Sequence, residues 1–155
     1  MWHDVISLLS VFLAGILAGE EVVIRYGVHP SLASLDERSQ IQARQGLIRG
    51  LRVLVPTVFA ATAVSAIAAL VIDGANDGLG FRLAGVLAML AWILVTAIGT
   101  VPINKGALEW QPDAPPANWR ALVRRWERLD VIRSAMAVLA FAFLLIAAVL
   151  TAANS

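Results

Sequence analysis

Cysteine is missing from all 155 residues, which removes disulfides, thiolate metal ligands and thiolate nucleophiles at one stroke. Charge is nearly as scarce. Asp, Glu, Lys and Arg make up 15% of the chain, against about a quarter in an ordinary soluble domain. With 59% hydrophobic residues, the composition lies far from that of a soluble domain. Histidine is limited to His3 and His29, and neither has another histidine three or four residues away to form a helical ligand pair.

Apolar length fills the space these absences leave. Mean hydropathy is +0.78, and four stretches, 5–24, 53–72, 83–101 and 135–153, each run about 20 residues, enough to cross a hydrocarbon core roughly 30 Å thick. The last three carry no charge, and the first carries only Glu20 and Glu21. The expected fold is all-α: an integral membrane four-helix bundle, one membrane domain over 1–155, with two spans extended by amphipathic segments. No Lys or Arg precedes the first run, so it reads as a retained span and not as a secretory signal.

The net charge of +1 hides a lopsided distribution. Eleven of the twelve basic residues fall in the connections between spans one and two and between spans three and four, leaving Arg82 alone in the short middle turn. The positive-inside bias makes both long connections cytoplasmic and puts both termini outside, in a cell (inner) membrane. Trp2 and His3 then mark the outer edge. His3 and His29 lie on opposite sides, which disfavours haem held between two histidines. Arginines spread along juxtamembrane helices are explained by anionic lipid, so membrane lipids are expected partners and nucleic acid is not.

Along the chain, Gly15 and Gly19 form a small-xxx-small pattern that lets helices approach closely, within the chain or in a homo-oligomer. Glu20 and Glu21 sit inside the first span, where an ionisable group costs on the order of 2–3 kcal/mol and is paired or functional. Arg25 follows Glu21 at i,i+4, the spacing of an ion pair. Val28-His29-Pro30 reads as a turn. Ser34 to Glu37 reads as a capping box with Ser34 at the cap. The helix it opens, from 36 to 72, is roughly 55 Å long, so its first half projects from the membrane. Arg38, Gln42, Gln45, Arg49 and Arg52 form a polar stripe there: either a solvated face, or one that turns Arg49 and Arg52 toward Arg133. Pro56 is expected to bend this helix. The turn 73–80 shows no chemistry, and Pro102 is expected to stop or kink the third span just before Asn104. Asn118 is a candidate cap for the last helix, where Trp119, Leu122, Trp126, Leu129 and Arg133 share one seam. Asp130 lies one turn from both Trp126 and Arg133. Residues scattered over a hundred positions thus meet one membrane boundary, and the expectation is a polar pocket centred on Arg133 with Asn104 and Asp130, walled by Trp126 and closed by Glu20 or Glu21.

The order Val101-Pro102-Ile103-Asn104, Leu108, Trp110, Trp119-Arg120, Arg125-Trp126, Asp130 and Arg133-Ser134 resembles the signature of the anthrone oxygenase-like family of small four-span membrane proteins. Gly19 through His29-Pro30 is similar to the family's amino-terminal pattern. Asp130 stands where Asn or His is usual, and Ser134 where Thr is usual. The resemblance implies oxidation of a lipophilic aromatic, an anthrone or hydroquinone, by dioxygen. Asp130, Glu21 or His29 would be the base, Arg133 and Asn104 would stabilise the oxyanion, and Trp110, Trp126, Arg49 and Arg52 would contact the substrate. Cofactor use stays open between none and a metal ion, iron or manganese, held by Glu20, Glu21, His29 and Asp130. The competing class is non-enzymatic: a membrane protein that binds or passes a lipophilic small molecule, or stabilises a partner.

Overall fold

The computed structural model describes residues 2–153, with side chains from Asp4 onward; Met1, the side chains of Trp2 and His3, and Asn154 and Ser155 lie outside the described residues. Six α-helices follow one another: α1 (Trp2–Val23), α2 (His29–Ala33), α3 (Glu37–Asp73), α4 (Leu79–Val95), α5 (Val101–Leu108) and α6 (Trp119–Ala153). Two five-residue π-helical turns, Ile24–Val28 and Thr96–Thr100, weld α1 to α2 and α4 to α5. The result is four rods, each long and apolar enough to cross a membrane. Short connections make consecutive rods antiparallel. The protein is an all-helical, multi-pass membrane bundle.

The apolar residues are arranged as lipid requires. Large side chains such as Leu8, Phe12, Ile67, Leu87, Leu94 and Val149 point outward, while Ala14, Ala66, Ala69, Ala137, Ala140 and Ala147 are buried between helices. Small residues at the seams let backbones come close, which is how helices pack where lipid offers no hydrophobic drive. α1 lies along α3 and α6, α6 lies along α4, and the seam between α3 and α4 is the thinnest. Gly15 packs on Phe141, with a built Cβ only 3.2 Å from its ring, so half of the small-xxx-small pattern serves this chain's own α1–α6 seam. Gly19 is exposed.

At 37 and 35 residues, α3 and α6 are each on the order of 50 Å long, well beyond a hydrocarbon core of roughly 30 Å. Both overhang at the end where the arginines collect. There they enclose a core of their own, built from Ile41, Ile48, Ile103, Ala107, Trp119 and Trp126 with neighbours. Buried Gln45 ties it together by donating to the carbonyls of Ala107 and Trp110, both at 2.9 Å, thereby satisfying carbonyls freed where α5 ends.

Several local expectations are corrected. His29-Pro30 is not a turn: the π turn at 24–28 carries the helix through it. Pro102 does not stop the third rod, because the π turn at 96–100 precedes it and α5 continues to Leu108. The physical reason is shared. A helical proline clashes with the carbonyl four residues back, here Tyr26 and Ile98, and both lie within the widened π turn. The cap of α3 is Asp36, whose carboxylate accepts from the Ser39 amide at 3.1 Å; Ser34 instead bonds back to the Ser31 carbonyl. Hydrogen bonding from Ser39 holds the Asp36 carboxyl below its ordinary range. α3 runs through Pro56 as one helix.

Candidate functional site

Glu21 is 2% exposed and anchors the site. Its Oε1 accepts from Trp92 Nε1 at 3.0 Å and, at very short range, from Arg133 Nη2. The same guanidinium donates through Nη1 to Asp130 Oδ1 at 2.9 Å. His29 Nε2 lies 3.0 Å from Asp130 Oδ2, close enough for an ion pair but without the alignment of a hydrogen bond. Arg133 also sits over the Trp92 ring, 4.9 Å from its centroid, and His29 meets the edge of Trp126. A buried guanidinium thus bridges two buried carboxylates with its planar fork, a geometry that an ammonium does not reproduce.

Beside this cluster lies a cavity of about 350 Å³ at the thin seam between α3 and the α4–α5 rod, within the range of about 300–1,000 Å³ usual for small-molecule sites. One end is polar, with Glu20, Glu21, Asn104, Asp130 and Arg133; the walls are aliphatic, with Leu47, Leu51, Val55, Pro56 and Leu108 among them, and Trp126 lines it too. Five polar atoms on lining residues are buried without a protein partner: Glu20 Oε2, Thr100 Oγ1, Asn104 Oδ1, Trp126 Nε1 and Arg133 Nε. Buried polar atoms are ordinarily paired. Two acceptors, two donors and a hydroxyl that can do either, around one cavity, are a complement for a ligand bearing both hydroxyl and carbonyl oxygens.

Of the residues singled out by sequence, the structure brings Glu20, Glu21, Asn104, Asp130, Arg133, Trp126 and Arg52 to the cavity and sets His29 just behind Asp130. Trp110 is elsewhere, buried against Trp119, and Arg49 is exposed and does not line the cavity. The expected Glu21–Arg25 pair does not form. Arg25 donates to Ser134 Oγ at 3.1 Å and covers Tyr26, because Arg133 already holds Glu21. The polar stripe on α3 is not uniformly solvated either: Gln45 is buried, and so is Arg44 beside the stripe, which bonds Glu127 at 2.9 Å and lies over Trp126.

Trp92 and Arg44 escaped the sequence reading. Trp92 left a signal, since an indole N–H in mid-span needs a buried acceptor and the glutamate pair is the only acidic one in a span. Arg44 and Gln45 lie between Ile41 and Ile48 on one helix face, so that face is the buried one. Among the described residues no three of His, Cys, Asp and Glu gather in a metal-holding group; the Arg133 guanidinium fills the space between Glu21 and Asp130.

At the other end, Arg82 pairs with Asp73 at 2.6 Å and bonds Asn76 at 2.7 Å and Thr151. The middle turn, in which no chemistry was expected, is thus closed by a buried ion pair between α3 and α4, and the same guanidinium ties it to the last helix through Thr151.

A family model described as anthrone oxygenase matches residues 45–143, which include Asn104, Trp126, Asp130 and Arg133 but not Glu20, Glu21 or His29. No curated protein and no solved structure matches the chain. With most of its length matched, and with four spans that gather the matched polar residues at one end, the chain belongs to the anthrone oxygenase family.

Proposed function

We propose that the protein is a membrane-embedded oxygenase that takes a lipophilic hydroxylated aromatic, anthrone-like or hydroquinone-like, from the bilayer into the α3–α5 cavity and oxidises it with dioxygen. The observation that carries this reading is the cavity itself: aliphatic walls around a buried ionic end, with acceptors Glu20 Oε2 and Asn104 Oδ1 left free of protein partners. Family membership supports the reaction class.

Glu20 is the best-placed base. Glu21 is engaged by Arg133 and Trp92, and Asp130 by Arg133 and His29, whereas Glu20 lines the cavity with one oxygen free. With an anthrone, Glu20 takes a proton from the ring methylene, and the resulting anion spreads onto the ring oxygen, where Arg133 Nε and Trp126 Nε1 are the available donors. Dioxygen adds at the carbanionic carbon and the proton returns to give a hydroperoxide. Loss of the second methylene proton expels water and leaves a carbonyl. One dioxygen supplies the carbonyl oxygen and the water oxygen, so no external reductant enters. The arginine-rich end faces the cytoplasm of an inner membrane in this reading, with both termini outside.

The test is oxygen consumption by purified protein in detergent, with a panel of anthrones and hydroquinones. Substrate-dependent uptake well above that of empty micelles is expected, lost in Glu20→Gln and strongly reduced in Arg133→Lys. Ring compounds that bind without any such uptake would refute the oxygenase reading and leave a binding or carrier role.

A further inference from the structure

The open side of the cavity carries two cations. Arg52 from α3 and Lys105 from α5 both line it, and both are exposed. Like several other basic residues at this end, neither has a carboxylate partner among the described ion pairs. The inner end has the opposite polarity, with three carboxylates, Glu20, Glu21 and Asp130, around one guanidinium. Leu47, Leu51, Val55, Val101 and Leu108 supply the aliphatic wall around these polar groups.

We infer that the ligand is amphiphilic along this axis: a flat apolar ring system whose hydroxyl end enters toward Glu20 and Asn104 and whose other end carries an acid group, a carboxylate, gripped between Arg52 and Lys105. This rests on the reading of the cavity as a site for a hydroxylated aromatic, and adds which end goes in and what the trailing substituent is. Reversed insertion places the acid against Glu20, where like charges in a poorly solvated site repel strongly. The two cations are therefore an orientation device as well as a source of affinity. Because both are partly in water, the advantage of the acid is on the order of tenfold, the low end for a charge-assisted contact.

The experiment compares two ligands that differ only at that substituent, a hydroxylated anthracene carboxylate and its carboxamide, binding to the full chain in phosphatidylcholine nanodiscs, read by tryptophan quenching against empty discs. The carboxylate is expected to bind about tenfold tighter. Its advantage should disappear in the Arg52→Gln/Lys105→Gln double variant, which is expected to bind the two ligands equally. Equal binding of the two by the unaltered chain overturns the inference and leaves the ring-binding reading standing, whereas binding of neither overturns both. Replacing part of the lipid with phosphatidylglycerol tests the other source of an anion. An advantage that survives keeps the two cations with the bound ring, and one that vanishes assigns them to lipid headgroups and sinks the inference.

Discussion

Removing Arg133 should damage the protein far more than removing Glu21, and the two losses should not add. Arg133→Met leaves Glu21 and Asp130, each 2% exposed, without the guanidinium that bridges them, and stripping one partner from a buried ion pair costs about 3–5 kcal/mol. Glu21→Gln is milder. The amide oxygen still accepts from Trp92, and Arg133 keeps Asp130, so the loss is that of one charged hydrogen bond, about 1.5–3 kcal/mol. In the double variant the orphaned Glu21 charge is gone, and Asp130 retains His29 at 3.0 Å. Its cost should fall below the sum of the singles by at least about 1 kcal/mol, a normal coupling for side chains in contact. For a chain of this size each kcal/mol moves Tm by roughly 2–4 °C. The assay is thermal unfolding of the four proteins in one detergent at one protein concentration. Additivity within about 0.5 kcal/mol, or Arg133→Met no worse than Glu21→Gln, would show that the bridge carries no weight.

Three further outcomes follow from the geometry. Trp92→Phe keeps the ring stacked on Phe59 at 4.7 Å but loses the indole N–H on Glu21, so it should lower stability by about 1.5–3 kcal/mol, read as a Tm drop, with oxygen uptake falling alongside. Gly78→Ala puts a Cβ 2.8 Å from the Ala147 carbonyl oxygen, whereas Gly99→Ala meets only the end of the Leu129 side chain at 2.8 Å; backbone cannot give way, so the first should cost about 1–3 kcal/mol and the second clearly less, compared in the same melt. Reporter fusions near Asp113 and at the carboxyl terminus should score on opposite sides of the membrane, and agreement between them would refute the orientation proposed from the arginines.

The spans and their shared basic end were legible because hydrophobic length and charge asymmetry are local, additive signals that no tertiary contact reverses. The seam on α6 was legible for a similar reason: Trp119, Trp126 and Arg133 recur every seven residues and all are buried. What failed were readings that assumed a polar residue faces water. Gln45 looked like a member of a solvated stripe, yet the overhanging α3 has α5 and α6 beside it, and freed carbonyls at the end of α5 draw Gln45 inward. Pairing was also misjudged. Sequence distance favours Glu21 with Arg25, one turn away, but a guanidinium at the membrane edge can reach Ser134 and solvent, whereas Arg133 is enclosed and finds its counter-charges only in Glu21 and Asp130.

The least legible feature explains how the site is assembled at all. In an uninterrupted α-helix, at about 100° per residue, His29 is eight positions beyond Glu21 and points about 80° away from it. A π turn accommodates one extra residue, so beyond Ile24–Val28 the eighth position takes the place of the seventh, within about 20° of the Glu21 face. That brings His29 onto the side where Asp130 waits. The third rod repeats the device. Thr100 and Asn104 lie eight and twelve positions after Trp92, about 80° and 120° off its face in a straight helix, and each returns to within about 20° of it once Thr96–Thr100 absorbs one residue. Trp92 reaches Glu21 from that face, and Thr100 and Asn104 line the cavity from it. Each proline follows its π turn at the same offset, Pro30 after Ile24–Val28 and Pro102 after Thr96–Thr100, so the residue that looks like a helix breaker coincides with the register shift that aims the polar side chains inward. A wheel drawn on straight helices scatters His29, Thr100 and Asn104; two single-residue insertions gather them.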